Sequence, residues 1–115
     1  MIQEKFRNCI DACYHCADAC DHCATACLQE DHVNAMVTCI HLDRFCAEAC
    51  RMAASFMAKT SGIGHDGYVI QLCKLCAQIC DDCASECEKH NMDHCRACAE
   101  ACRRCAEACR QMEAA

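Results

Sequence analysis

Cysteine stands at positions 9, 13, 16, 20, 23 and 27, at 39, 46 and 50, at 73, 76, 80, 83 and 87, and at 95, 98, 102, 105 and 109. In the first, third and fourth of these groups the steps alternate between three and four residues. That alternation is the seam of an α-helix, the line on which an ordinary bundle carries leucine. Side chains at i+3 and i+4 have Cβ atoms roughly 5–6 Å apart, so one ion can join the sulfurs of two neighbours. Thiolate is the metal-binding form of cysteine, and its softness favours soft ions. Rows of thiols facing other rows would make a container for many such ions.

Charge balance discriminates among the metals. Nineteen ligated thiolates would place a large negative charge in one core, and burying uncompensated charge is prohibitive. Four-thiolate zinc sites would accept only about four ions and leave that core strongly anionic. Copper(I) is monovalent, soft and content with two or three sulfurs. Shared between bridging thiolates at about one ion per cysteine, it nearly cancels the charge. The expected cargo is therefore copper(I), many ions per chain. Zinc or cadmium buffering is the alternative, because sulfur takes those ions too. A purely structural reading, with cysteine as a small apolar residue, leaves unexplained why nearly every seam position is cysteine. The bound-metal ratio separates the three: near one per cysteine for copper, near one per three or four for zinc, none for the structural reading.

The elements that must position these thiols follow from the same repeat. The unit Cys-x-x-Cys-Ala-x-x-Cys is complete at 13–20, 20–27, 73–80, 80–87, 95–102 and 102–109, with degenerate copies at 6–13 and 43–50. A period of seven belongs to coiled coils and bundles. Breaks in it predict four helices at about 2–28, 32–59, 67–89 and 92–112, with Asp31 and Asn91 as N-caps of the second and fourth. The chain has no proline, and its three glycines all fall in segment 61–67, the one longer loop. Short connections favour an all-α fold, an antiparallel up-down-up-down four-helix bundle with a cysteine-lined core. A length of 115 residues suits one metal-storage domain spanning residues 1–115. The alanine after each CxxC either lets helices approach closely or is there as the best helix former.

Composition narrows the function further. Two tyrosines, three phenylalanines and no tryptophan leave a core that thiols must fill. The first residues carry no apolar run ahead of a small-residue cleavage site, and no run approaches a membrane span, so the expected compartment is the cytoplasm. Thiols there stay reduced, and dense cysteine reads as metal or redox chemistry rather than a disulfide framework. A net charge of -6 argues against nucleic acid. Each CxxC inside a helix is followed by alanine, not the histidine of c-type haem attachment, and ferredoxin spacing is absent. A thiol oxidoreductase, a weaker alternative, needs one CxxC at a helix start after a strand, not a tiled array. No enzymatic activity is expected.

The seams also carry residues that are not cysteine. In an up-down-up-down bundle His32, Met36, His90, Met92 and His94 share one end with Cys27, Cys87 and Cys95. Ile2, Phe6, Ala53, Met57, Val69 and Met112 share the other. One mouth can coordinate metal, as histidine and methionine do, and the other is an apolar plug. The second helix runs His32, Met36, Cys39, Asp43, Cys46, Cys50, Ala53, Met57 along its seam, which puts a carboxylate among thiols. Asp43 then coordinates metal, accepts a hydrogen bond or sits protonated in an empty core. Alternatively, a slightly rotated helix leaves it at the rim. His15, His22, His41 and His65 lie off the seam or in the loop and are expected to be solvated, as are Lys74, Glu86, Arg103, Arg104 and Glu107. Ile10, Ile40, Leu42, Phe45, Leu72, Leu75 and Ile79 exceed what a solvated surface needs and suggest subunit contacts. The candidate metal ligands are Cys9, Cys13, Cys16, Cys20, Cys23, Cys27, Cys39, Cys46, Cys50, Cys73, Cys76, Cys80, Cys83, Cys87, Cys95, Cys98, Cys102, Cys105 and Cys109, with His32, Met36, Asp43, His90 and His94.

Helical CxxC and CxxxC seams in a short, proline-free, four-helix chain closely resemble the bacterial copper storage proteins, in particular their cytosolic branch. The resemblance covers nearly the whole chain. It implies a homotetramer of bundles holding many copper(I) ions on core thiolates. Expected partners are copper ions, further copies of the chain, and a copper chaperone or low-molecular-weight thiol as donor, with neither nucleic acid nor membrane. The broken stripe of the second helix departs from the pattern.

Overall fold

The computed structural model describes residues 4–60 and 64–114. Its helices are α1 (Glu4–Leu28), α2 (Val37–Lys59), α3 (Asp66–Cys87) and α4 (Asp93–Ala114), with a 3₁₀ turn, Val33–Met36, leading into α2. Each helix packs on its neighbours in sequence, and α1 also packs on α4, while the diagonal pairs keep their described backbones apart. This is the expected antiparallel four-helix bundle. Its 50 × 21 × 18 Å envelope is elongated, each helix of 22–25 residues being roughly 33–38 Å long.

The seam faces inward because only there can a stripe of small apolar side chains leave water. The alanines after each CxxC sit beside it, and Ala17, Ala47, Ala77, Ala84, Ala99 and Ala106 are all buried. Their placement between helices favours the close-approach reading, since helix propensity alone would not require them to be covered. Among the apolar residues off the seam, Ile10 and Ile40 are buried and Leu42, Leu72 and Ile79 half-buried against the core, whereas Phe45 and Leu75 are exposed.

Several helix ends differ from expectation. The predicted second helix does not begin at residue 32: Val33–Met36 winds as 3₁₀ with His32 at its N-cap position, no side chain caps that turn, and Asp31 precedes it. α4 begins at Asp93, with Arg96 N–H donating to the Met92 carbonyl at 3.0 Å. Asn91 does not cap it; its Oδ1 instead accepts from the Arg96 guanidinium at 2.6 Å. α2 closes where Thr60 Oγ1 donates to the Met57 carbonyl at 3.3 Å. Before α3 the chain turns through left-handed backbone at Gly64 (φ 91°) and His65 (φ 67°), where glycine is at ease and the His65 ring stacks on Tyr68 at 5.4 Å. Of the predicted loop, residues 61–63 lie outside the described residues, as does Ile2 of the predicted plug.

Candidate metal centre

All nineteen cysteines are free thiols and all are buried, Cys9 being the most accessible at 2 %. Antiparallel neighbours bring the seams into layers. At one end Cys23 and Cys27 meet Cys95, while Cys39 meets Cys87 at 3.4 Å. Next come Cys20 and Cys98 at 3.6 Å, with Asp43 and Cys83. The middle layer is Cys16, Cys46, Cys80 and Cys102, followed by Cys13, Cys50, Cys76 and Cys105. Cys9 and Cys109, 3.8 Å apart, close the far end beside Cys73. Sulfurs also meet across the diagonals, Cys16 with Cys80 at 4.0 Å, Cys46 with Cys102 at 3.9 Å and Cys50 with Cys105 at 3.7 Å. The thiols therefore reach the bundle axis and form one column along it.

Distances of 3.4–4.0 Å between sulfurs are spanned by a single ion with metal–sulfur bonds of roughly 2.3 Å. Within each of several four-cysteine groups all sulfurs lie within 4.8 Å of one another, among them Cys13, Cys76, Cys105 and Cys109, and Cys23, Cys27, Cys39 and Cys95. The groups overlap. Cys16 and Cys46 belong both to the set with Cys20 and Cys102 and to the set with Cys50 and Cys80, while Cys20 and Cys102 recur with Cys83 and Cys98. A sulfur held in common suits bridging thiolates on monovalent ions and denies separate tetrahedral sites their own four ligands. Burial first, and then the charge on Cys23 and Cys39, pushes the Cys27 and Cys95 thiols up, so metal arriving here displaces protons.

Asp43 is fully buried, which decides between the two readings of its sequence position. Its Oδ1 accepts from Cys83 at 3.1 Å, from Cys98 at 3.2 Å and, at longer range, from Cys87 at 3.8 Å. Burial, reinforced by the neighbouring charges of Cys23 and Cys39, raises its carboxyl to about 9. Folding the metal-free chain at neutral pH thus requires Asp43 to take up a proton. The sign follows: its contribution is fully favourable below pH ~4, where the unfolded chain is protonated too, and is lost as pH rises towards 9. Asp43→Asn should therefore stabilise the metal-free protein by a few kcal/mol at pH 7, with the advantage vanishing near pH 4. Paired denaturant melts at the two pH values check this; equal differences at both would show Asp43 to be ionised in the fold.

The two ends of the column differ as the sequence predicts, with two corrections. Phe6, Ala53, Met57 and Val69 are buried and Met112 is half-buried at the apolar end. At the other end Met36 is fully buried and His90 and His94 are largely covered, at 14 % and 13 % side-chain exposure. His94 Nε2 is buried without a hydrogen-bond partner, 3.8 Å from Glu30 Oε1. His32 is the first correction: it is exposed, because a 3₁₀ turn advances by three residues where the extrapolated seam assumed 3.6. The second is Glu86, expected on an outer face but only 14 % exposed, with its Oε2 2.9 Å from His90 Nε2. The signal for it was present, since Leu72, Ile79 and Glu86 recur every seven residues on one flank of α3. His15, His22, His41 and His65 are exposed, as are Lys74, Arg103, Arg104 and Glu107. Arg103 nonetheless ties α4 to Asp81 and Glu88 of the neighbouring hairpin arm.

A family model described as copper storage protein matches residues 2–114. An uncharacterized cysteine-rich protein, YhjQ of Bacillus subtilis (strain 168), is 47 % identical over 93 residues, covering 81 % of this chain and 82 % of the relative. Among solved structures, the Cu(I)-bound copper storage protein BsCsp3 of Bacillus subtilis is 44 % identical with a TM-score of 0.87, covering 96 % of this chain and 99 % of its own. A cytosolic copper storage protein from Streptomyces lividans, carrying five coppers, is 38 % identical with a TM-score of 0.92, covering 97 % and 94 %. A family match over almost the whole length, joined to a buried column of nineteen thiols, places this chain in the copper storage protein family.

Proposed function

We propose that this protein stores copper(I), at about one ion per cysteine, on all nineteen core thiolates. The observation that carries this is the overlap of the four-sulfur groups along the bundle axis, which favours shared monovalent ions over separate zinc sites. Bound copper is cargo here, and the whole chain serves as one container rather than a catalyst. No helix among the described residues is long and apolar enough to cross a membrane. With a relative described as cytosolic, this supports storage in the cytoplasm, where a copper chaperone or a small thiol would act as donor.

Assembly into a homo-oligomer, a tetramer by family resemblance, is supported by one face of the bundle. Phe45 and Met52 lie seven residues apart on α2, and Tyr68 and Leu75 seven apart on α3, all exposed at 46–61 %. Leu42 and Phe56 of α2 and Leu72 and Ile79 of α3 are half-buried against the core. α4 instead shows Arg96, Glu100, Arg103, Arg104, Glu107 and Arg110 to solvent.

Copper enters and leaves past Met36, His90 and His94, with Asp43 within the column among the thiols it first meets. His32, being exposed, has at most a peripheral part. Replacing Met36, His90 and His94 together with apolar residues should slow copper uptake and chelator-driven removal by roughly tenfold or more while leaving most of the capacity intact. Equivalent changes at Phe6, Met57 or Met112 should lower stability and spare the exchange rate. Stopped-flow copper transfer on the two sets decides it; equal slowing from both ends, or none from the His/Met end, would move the entrance elsewhere.

A further inference from the structure

We infer that Glu86 is a positioning residue for the copper entrance: it holds His90 by Nε2–H and leaves Nδ1 as the nitrogen that meets the metal. This rests on the entrance reading above and adds to it the state of one ring. Three observations converge on it. The backbone N–H of His90 donates to the Cys87 carbonyl at 3.1 Å, which pins the residue one turn beyond the last thiol of α3. Its Nε2 lies 2.9 Å from Glu86 Oε2, with both side chains only 14 % exposed. Glu86 is itself held, because its other oxygen, Oε1, accepts from Lys89 Nζ at 3.3 Å.

A carboxylate can only accept, so the nitrogen facing it must carry the proton. A neutral imidazole protonated at Nε2 has its lone pair at Nδ1, and copper(I) must bind there. Carboxylates that hold a ligand histidine in this way fix ring orientation and tautomer and raise its basicity. His94 is held less tightly, its Nε2 buried without a hydrogen bond and 3.8 Å from Glu30 Oε1. The burial of Glu86 also explains a carboxylate on a flank otherwise occupied by Leu72 and Ile79.

The test has a spectroscopic arm and a kinetic arm. In metal-free protein, nitrogen-15 NMR of the imidazole should show a slowly exchanging His90 Nε2–H, lost in Glu86→Ala and kept in Glu86→Gln, whose amide oxygen can still accept. In the copper(I)-loaded protein, which is diamagnetic, the coordination shift should fall on His90 Nδ1 while Nε2 stays protonated. Copper uptake should slow about tenfold in Glu86→Ala, recover in Glu86→Gln, and reach an unchanged total in both. Coordination through Nε2, a freely exchanging Nε2–H in the unaltered protein, or faster uptake in Glu86→Ala would each overturn the inference. Uptake unchanged in His90→Ala, together with a slowly exchanging Nε2–H signal in the unaltered protein, would overturn the entrance reading and the metal role of Nδ1 while leaving the Glu86 contact standing.

Discussion

Titrated anaerobically with copper(I) against a chromogenic chelator, the reduced protein should saturate near nineteen ions per chain, and zinc run in parallel should saturate near four. The difference arises from charge. Every cysteine is buried, so each thiolate formed inside the bundle must be compensated where it stands. A divalent ion on four thiolates leaves an excess negative charge, and the overlapping sulfur groups give neighbouring zinc ions no separate ligand sets. A monovalent ion per thiolate leaves the column close to neutral, and sulfur spacings of 3.4–4.0 Å let each thiolate bridge. Copper bound at thiols that burial pushes up, Cys27 and Cys95 among them, should release about one proton per ion. Saturation with copper near four to six ions would sink the storage reading and promote zinc.

Metal-free protein should already be helical, and loading should raise its melting temperature by several tens of degrees. Thiols in the protonated form are small apolar side chains, and the seams bury them together with Met36, Met57 and Val69, so the container does not depend on its cargo for folding. Each ion bound at about a thousand times its dissociation constant adds ~4 kcal/mol to the folded state. A handful of ions therefore exceeds the ~5–15 kcal/mol stability of an ordinary domain. Far-UV circular dichroism with thermal melts of the reduced metal-free and loaded forms checks both halves. A coil before loading would replace the preformed container with a metallothionein-like mechanism, and an unchanged melting temperature would place the metal outside the fold.

The helices, the inward stripe and the contrast between an end bearing histidine and methionine and an apolar end were all legible in the sequence. The reason is that each is a property of one helix taken alone: a 4–3 spacing fixes which side chains share a face whatever that face meets. The soft-metal chemistry was legible too, because nearly every seam position carries the same ligand. Other features depended on how the helices are turned and set against each other. The rotation of α2 takes Asp43 to zero exposure among Cys83, Cys87 and Cys98, where the sequence left core and rim equally open. A 3₁₀ turn before α2 puts His32 outside the line that a constant helical period draws through it. Glu86 looked like solvated charge until the folded chain covered it against His90. Sharing of Cys16, Cys20, Cys46 and Cys102 between sulfur groups likewise arises only when four seams converge. Periodicity along a helix is written in one stretch of chain, whereas the angle and height at which four such stretches meet are set by the packing of all of them at once, and that is where the grouping of the sulfurs was decided.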